Sequence, residues 1–137
     1  MSASIWLPFP PSVNNLFPQA IVLGKIRRFP SKQYKAWRKE AFWRIRAARI
    51  ARYEVPVNVR LELTPRDRRP RDADNYCKPC LDALVEARVL HDDSNLWVLS
   101  VAPFWNPPGT KEVGVIVHIQ PADVDHAVQL SLLDGAA

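Results

Sequence analysis

Between Arg71 and Asp93 the chain reads R-D-A-D-N-Y-C-K-P-C-L-D-A-L-V-E-A-R-V-L-H-D-D. Asp72 and Asp74 lie two residues apart, Asn75 and Lys78 follow at the head of a helical run, and Asp93 comes just after that run. A path that folds back after the helix would bring Asp93 toward Asp72 and Asp74 and gather three carboxylates beside one ammonium. Mg2+ takes hard anionic oxygens and keeps several waters, so these groups and a substrate phosphate are a sufficient cage, with Mn2+ as a substitute ion. Such an ion orients and deprotonates a water and stabilises charge on a phosphodiester under in-line attack, and Lys78 would add to that stabilisation. The same residues have a second reading. Asp74 or Asn75 is a natural N-cap, and acidic side chains suit the first turn of a helix.

The elements around this stretch carry positive charge. A strand is predicted over Val55–Thr64, where Val55, Val57, Val59, Leu61 and Leu63 alternate with polar Asn58, Arg60, Glu62 and Thr64, giving one core face and one wet face. It runs into P-R-D-R-R-P-R, a stiff loop that delivers the chain to Asp72. Arg66, Arg68, Arg69 and Arg71 can hold phosphates that the acids alone would repel.

Upstream, Ser31 caps a helix predicted to reach about Arg52, with Tyr34, Trp37, Ala41, Ile45 and Ala48 on its buried face. Eleven of the nineteen Lys and Arg residues fall between Lys25 and Arg52, against Glu40 as the single acid, so the basic character is local. Lys35, Arg38, Lys39, Arg46 and Arg49 form a stripe that can track a phosphate backbone or stand simply as a solvated face. Ala36, Trp43, Ala47 and Ile50 make a second apolar face, which a partner subunit would cover.

The remaining elements follow from local pattern. Ile5–Phe9 reads as a strand closed by Pro10-Pro11, and residues 16–30 as a loop carrying Lys25, Arg27 and Arg28. A second helix is predicted from about Asn75 to Arg88, beginning regularly nearer Lys78 because Pro79 is tolerated only in a first turn. Its buried side is Leu81, Leu84, Val85 and Val89. Leu96–Phe104 and Val113–Ile119 read as strands joined by W-N-P-P-G-T-K. The order β-α-β-α-β-β predicts an α/β (α+β) fold, a small mixed sheet with two main helices packed on it.

Composition bounds the class. With 137 residues, 47% hydrophobic and 24% charged, a single globular domain with a real core is expected over residues 1–120, followed by a distinct tail over 121–137. No apolar run approaches membrane length, and M-S-A-S-I-W-L-P has neither the charged start nor the long apolar middle of a signal peptide, so a cytoplasmic setting is expected. A net charge of +5 points to a polyanionic partner. Cys77 and Cys80 could form a redox pair at a helix start, but the segment before them is rich in Arg and Asp where such a motif follows an apolar strand. They read as reduced packing cysteines. His91 and His118 have no ligand-pair spacing and read as ordinary loop and strand residues.

Taken together, W-L-P-F-P-P-S-V-N-N, D-R-R-P-R, R-D-A-D-N-Y-C-K with L-D-A-L, and V-L-H-D-D, in this order, resemble the RusA-type Holliday junction resolvases. The resemblance spans about Ile5 to Ile119. It implies metal-binding carboxylates at Asp72, Asp74 and Asp93, an essential lysine at Lys78, and substrate handling by Arg71 and Asn75. It further implies a Mg2+-dependent homodimer that nicks two opposed strands of a branched DNA substrate, the four-way junction, on nucleoid DNA. A catalytically silent branched-DNA-binding protein is the alternative. The sequence departs from the family pattern around Cys77 and Pro79 and in a longer first loop.

The tail beyond Pro121 lies outside this resemblance. Q-L-S-L-L is similar to the peptide by which bacterial replication and repair proteins dock on the β sliding clamp, with Gln129, Leu130, Leu132 and Leu133 as contact residues. A terminal helix packing on the domain is its other reading.

Overall fold

The computed structural model describes residues 1–15, 19–22, 24–28 and 30–122. Eight strands and helices follow one another as β1 (Ala3–Leu7), β2 (Gln19–Val22), β3 (Lys25–Arg28), α1 (Lys32–Ala47), β4 (Val57–Thr64), α2 (Cys77–Glu86), β5 (Val98–Trp105) and β6 (Gly114–Pro121). β1, β6, β4 and β5 lie side by side in that order in one mixed sheet. β4 and β5 are parallel, and the crossover between them contains α2; β6 runs antiparallel to both β1 and β4. The mixed sheet with two helices is the expected α+β architecture. Although only a short segment separates β5 from β6 in sequence, β4 stands between them in space.

β4 is central, and its alternation decides the core. Val57, Val59, Leu61 and Leu63 are fully buried together with Tyr34, Trp37, Ala41 and Ile45 of α1 and Cys80, Ala83 and Leu84 of α2. At about 25 cal/mol per Å2 of apolar surface removed from water, this cluster is the main favourable contribution to the fold. The other edge of the pattern differs from expectation. Glu62 and Thr64 are buried, not wet, because β4 has neighbours on both sides and polar partners above it. Val55 is exposed and precedes the strand.

Two further expectations are corrected. The segment expected as a loop contains an antiparallel hairpin, β2–β3, in which Ile21 pairs with Ile26 and Val22 with Lys25. Gly24 has φ +75°, the left-handed conformation that a two-residue hairpin turn needs and that glycine adopts without strain. The first helix stops at Ala47 and does not reach Arg52, since Arg49 adopts φ 55° and turns the chain. Ile50 then packs against the core instead of extending an outer face of α1, and the Tyr53 N–H donates to the Val89 carbonyl at 3.0 Å.

Local chemistry accounts for the helix ends. The Ser31 hydroxyl accepts from the Tyr34 N–H at 3.0 Å and caps α1 as expected. α2 closes with a Schellman arrangement: Val89 N–H donates to Leu84 O at 2.9 Å, Arg88 N–H donates to Val85 O at 3.0 Å, and Arg88 takes φ 63°. Its helix therefore ends at Glu86, two residues earlier than predicted. Gly114 is required for a different reason: a Cβ there would collide with the Trp6 indole and the Leu7 carbonyl. Gln129, Leu130, Leu132 and Leu133 lie outside the described residues.

Candidate active site

The site grows out of the C-terminal end of β4. Pro65–Arg71 is a loop that closes on itself: Arg71 donates to the Asp67 carboxylate at 2.8 Å, to the Asp67 carbonyl at 3.3 Å and to the Arg69 carbonyl at 3.1 Å. The Arg69 N–H donates to the same carboxylate at 3.0 Å. These contacts, the Arg69 amide first and Arg71 next, hold the Asp67 carboxyl below the usual carboxylate range. With a side chain only 12% exposed and its guanidinium 5.9 Å from the Phe9 ring, Arg71 is the inner clasp of the loop. Arg66 is largely exposed, with its Nε 3.7 Å from Asp67.

A 3-10 turn over Ala73–Tyr76 joins this loop to α2. Asp72 occupies the N-cap position, yet its side chain makes no capping hydrogen bond; only its backbone carbonyl accepts, from the Asn75 N–H at 3.1 Å. Asp74 follows in the first turn. Both carboxylates are exposed and neither forms a hydrogen bond or ion pair among the described residues, so the capping role is not the one they fill. Tyr76 fastens the turn by burying its ring against Phe9, 5.0 Å away edge-on, and Trp105, 5.9 Å away.

Between this turn and the exit of β1 opens a cleft of about 700 Å3. Phe9, Pro10, Pro11 and Ser12 form one wall, Arg66, Arg69, Arg71, Asp72, Asn75 and Tyr76 another, and Gln33, Trp37 and Val113 complete it. Trp37 is fixed by its indole N–H, which donates to the Pro8 carbonyl at 2.7 Å. Arg68 faces an adjoining hollow with Trp105 and Asn106. Thus arginines and one carboxylate of the expected set share a single depression.

Other expected residues stand elsewhere. Lys78, on the first turn of α2, is exposed and lies 3.4 Å from Asp82. Asp93 is exposed in the segment after α2; beside it, the Asp92 carboxylate accepts from the Ser94 N–H, while Asp93 forms no hydrogen bond or ion pair among the described residues. The described residues of the chain gather no three His, Cys, Asp or Glu side chains that could hold a metal. Asp72 and Asp74 nonetheless have the chemistry a hard cation requires, two anionic oxygen donors uncommitted to protein partners.

Lys35, Lys39 and Arg46 on α1, and Arg49 just beyond its end, are exposed. Arg38 is tied down, 3.3 Å from Glu86 and 5.3 Å above the Tyr34 ring. Cys77 and Cys80 are free thiols; burial pushes both upward in pKa, Cys80 most strongly, which suits packing and disfavours a reactive thiolate.

Sequence reasoning missed a polar network on β4. The buried Glu62 carboxylate accepts from Lys111, from Asn106 at 2.9 Å, and pairs with His118 at 3.1 Å. His118 in turn bonds Ser4 at 2.8 Å, so it bridges three strands and is not the ordinary strand residue expected. Lys111, then Asn106 and His118, bring the Glu62 pKa down to about 2. Gln33 and Ser12 were missed as cleft residues too. A polar residue two positions after the helix cap was the available signal for Gln33.

Comparison with known proteins decides the family. The sequence profile described as Endodeoxyribonuclease RusA matches residues 8–120. The chain belongs to the RusA endodeoxyribonuclease family. Crossover junction endodeoxyribonuclease RusA from Escherichia coli strain K12 is 34% identical over 94 residues, which cover 68% of this chain and 75% of that protein. The proteins of the same name from Escherichia coli O1:K1 and from Shigella sonnei strain Ss046 match to the same extent. The RusA match contains the arginine loop, the 3-10 turn, α2 and Asp93. Among the described residues no helix is long and apolar enough to cross a membrane.

Proposed function

We propose that this RusA-family chain is a Mg2+-dependent homodimeric endonuclease that resolves four-way DNA junctions by paired nicks in opposed strands during recombination and repair. The observation that carries this is a pair of exposed carboxylates without a hydrogen bond or ion pair among the described residues: Asp72 lines the arginine-bearing cleft, and Asp74 follows it in the adjoining 3-10 turn. A bound divalent ion supplies a polarised water and charge neutralisation at the phosphodiester. Asp72, Asp74 and Asp93 are the residues that would hold it. Arg66 and Arg69 bind the flanking phosphates, Arg71 keeps their loop in place, and Asn75 orients the strand from the cleft wall. Lys78 directs its ammonium at developing charge once DNA draws it from Asp82.

A protomer alone gathers no three-ligand group among its described residues. In the homodimer Asp93, on its exposed segment, would complete the ligand set, and two sites related by the two-fold axis would match two opposed strands. The same observation favours the second reading, a catalytically silent branched-DNA-binding protein, if the dimer does not form. Cleavage of a synthetic four-way junction against linear duplex, with and without Mg2+ at matched salt, separates them. Mg2+-dependent nicks on the junction are expected; binding without nicking would establish the silent protein.

The appended tail is read as a docking peptide for the bacterial β sliding clamp. Gln129 and the leucines Leu130, Leu132 and Leu133 offer the amide and apolar side chains such a pocket takes, ordering on the partner and so binding with modest affinity.

A further inference from the structure

Trp43 is 61% exposed on α1, the one aromatic ring in that state among the large apolar side chains of the described residues. Phe42 meets it edge-on, with ring centroids 5.3 Å apart. Lys35, Arg38, Lys39 and Glu86 join these two rings around a hollow of about 350 Å3. The acid there is already engaged, since Glu86 pairs with Arg38 at 3.3 Å. Lys35 and Lys39 form no ion pair among the described residues, and the exposed Arg46 lies with its guanidinium 5.9 Å from the Phe42 ring. The surface is therefore a bare indole face inside a cationic rim.

Duplex DNA could offer phosphates to that rim, but it keeps the faces of its bases stacked away from the indole. An aromatic face flanked by ammonium groups matches a strand whose base has left the stack: the ring takes the base and the cations take the phosphates on either side. We propose that Trp43 is a stacking platform for an unpaired base of the DNA substrate, with Lys35 and Lys39 as its phosphate anchors. The proposal rests on the nucleic-acid reading above and adds to it a preference for unstacked strand.

A second copy of the chain is the competing occupant. On this face the apolar surface beyond Trp43 is Ala36 and Ala47, because Ile50 has turned inward, and that is too little for a stable dimer seam. A self-complementary interface would also bring Lys39 and Arg46 into a patch of like charge. Charge complementarity favours the nucleic acid.

The test measures equilibrium binding of the full chain to a fluorescein-labelled single strand of about 20 nucleotides, to the linear duplex of the same sequence and to a four-way junction, at matched salt. Trp43→Ala is expected to weaken single-strand binding about tenfold while moving duplex affinity less than about twofold. Trp43→Phe, which keeps a ring face, should retain most of the single-strand affinity. Equal losses on duplex and single strand, or no loss on either, would overturn the proposal. So would sedimentation of Trp43→Ala as a monomer where the parent protein is a dimer, which would give the face to a second subunit. Junction cutting by the parent protein, followed in parallel with Mg2+, reports on the nuclease reading alone. A non-cutting protein with the expected single-strand discrimination would remove the nuclease and keep the platform.

Discussion

The Arg71 guanidinium lies 2.8 Å from the Asp67 carboxylate and closes the loop between them one residue before Asp72. The arginine nearest the expected metal ligands thus spends its hydrogen bonds on the protein, and its effect on chemistry runs through the position of Asp72. Arg71→Ala should lower junction cleavage roughly ten- to hundredfold, the scale of a small displacement of reacting groups, with the thermal midpoint little changed. Asp67 has a lowered pKa, so the clasp is complete above the ordinary carboxylate pKa and is lost only as pH falls through the lowered value. Cleavage rates of Arg71→Ala and Asp67→Asn should therefore fall alike; an unimpaired Asp67→Asn would count against the clasp.

Asp72→Asn, Asp74→Asn and Asp93→Asn should each abolish nicking while junction binding persists in a gel-shift assay. The amide keeps the shape of the side chain and removes the charge a hard cation needs. Full cutting by any of the three would strike that residue from the site.

Lys78 sits 3.4 Å from Asp82 on an exposed helix face, an ion pair too solvated to be a strong restraint. Lys78→Ala should leave stability nearly unchanged and reduce kcat more than junction affinity. Equal loss of kcat and binding would make the lysine a phosphate anchor, as single-turnover kinetics can show.

Glu62→Gln should destabilise the fold by roughly 1–3 kcal/mol near neutral pH, the cost of leaving buried polar partners imperfectly satisfied. The sign of the pH dependence follows from the pKa of about 2 against an ordinary value of 4.5. The carboxylate contributes stability that is fully present above the ordinary value and disappears as pH falls toward the folded one. Urea unfolding should show the difference between parent and variant shrinking across that window. A difference independent of pH would mean that shape, not charge, is what Glu62 supplies.

Removing Gln129–Leu133 should leave nuclease activity intact and eliminate capture by immobilised β clamp. Retained capture would assign the contact to the folded part of the chain.

How much of this was legible depends on the distance over which each residue finds its partners. The alternation from Val57 to Leu63 announced the central strand because a period of two is set within the strand itself. The fate of Glu62 was not legible: Lys111 and His118 reach it from 49 and 56 residues away, and alternation alone assigns a glutamate to water. The end of α1 was hidden for a related reason, since Arg49 takes a left-handed conformation usually marked by glycine or asparagine. The β2–β3 hairpin escaped because Lys25, Arg27 and Arg28 obscure its apolar pattern. At the site, Arg66 to Asn75 form one contiguous stretch and could be read directly. Phe9, Gln33 and Trp37 join them only through the tertiary fold.

β6, the last strand among the described residues, lies inside the sheet, bonded to β1 on one side and β4 on the other. One wall of the cleft leaves β1 and the other leaves β4, so this late strand is what clamps them together. During synthesis the ribosome has to release residue 121 before both walls can close, and long-range pairing of that kind is slow. A chain that ends before β6 would therefore lack the strand that joins the two walls, and its cleft would not be held closed.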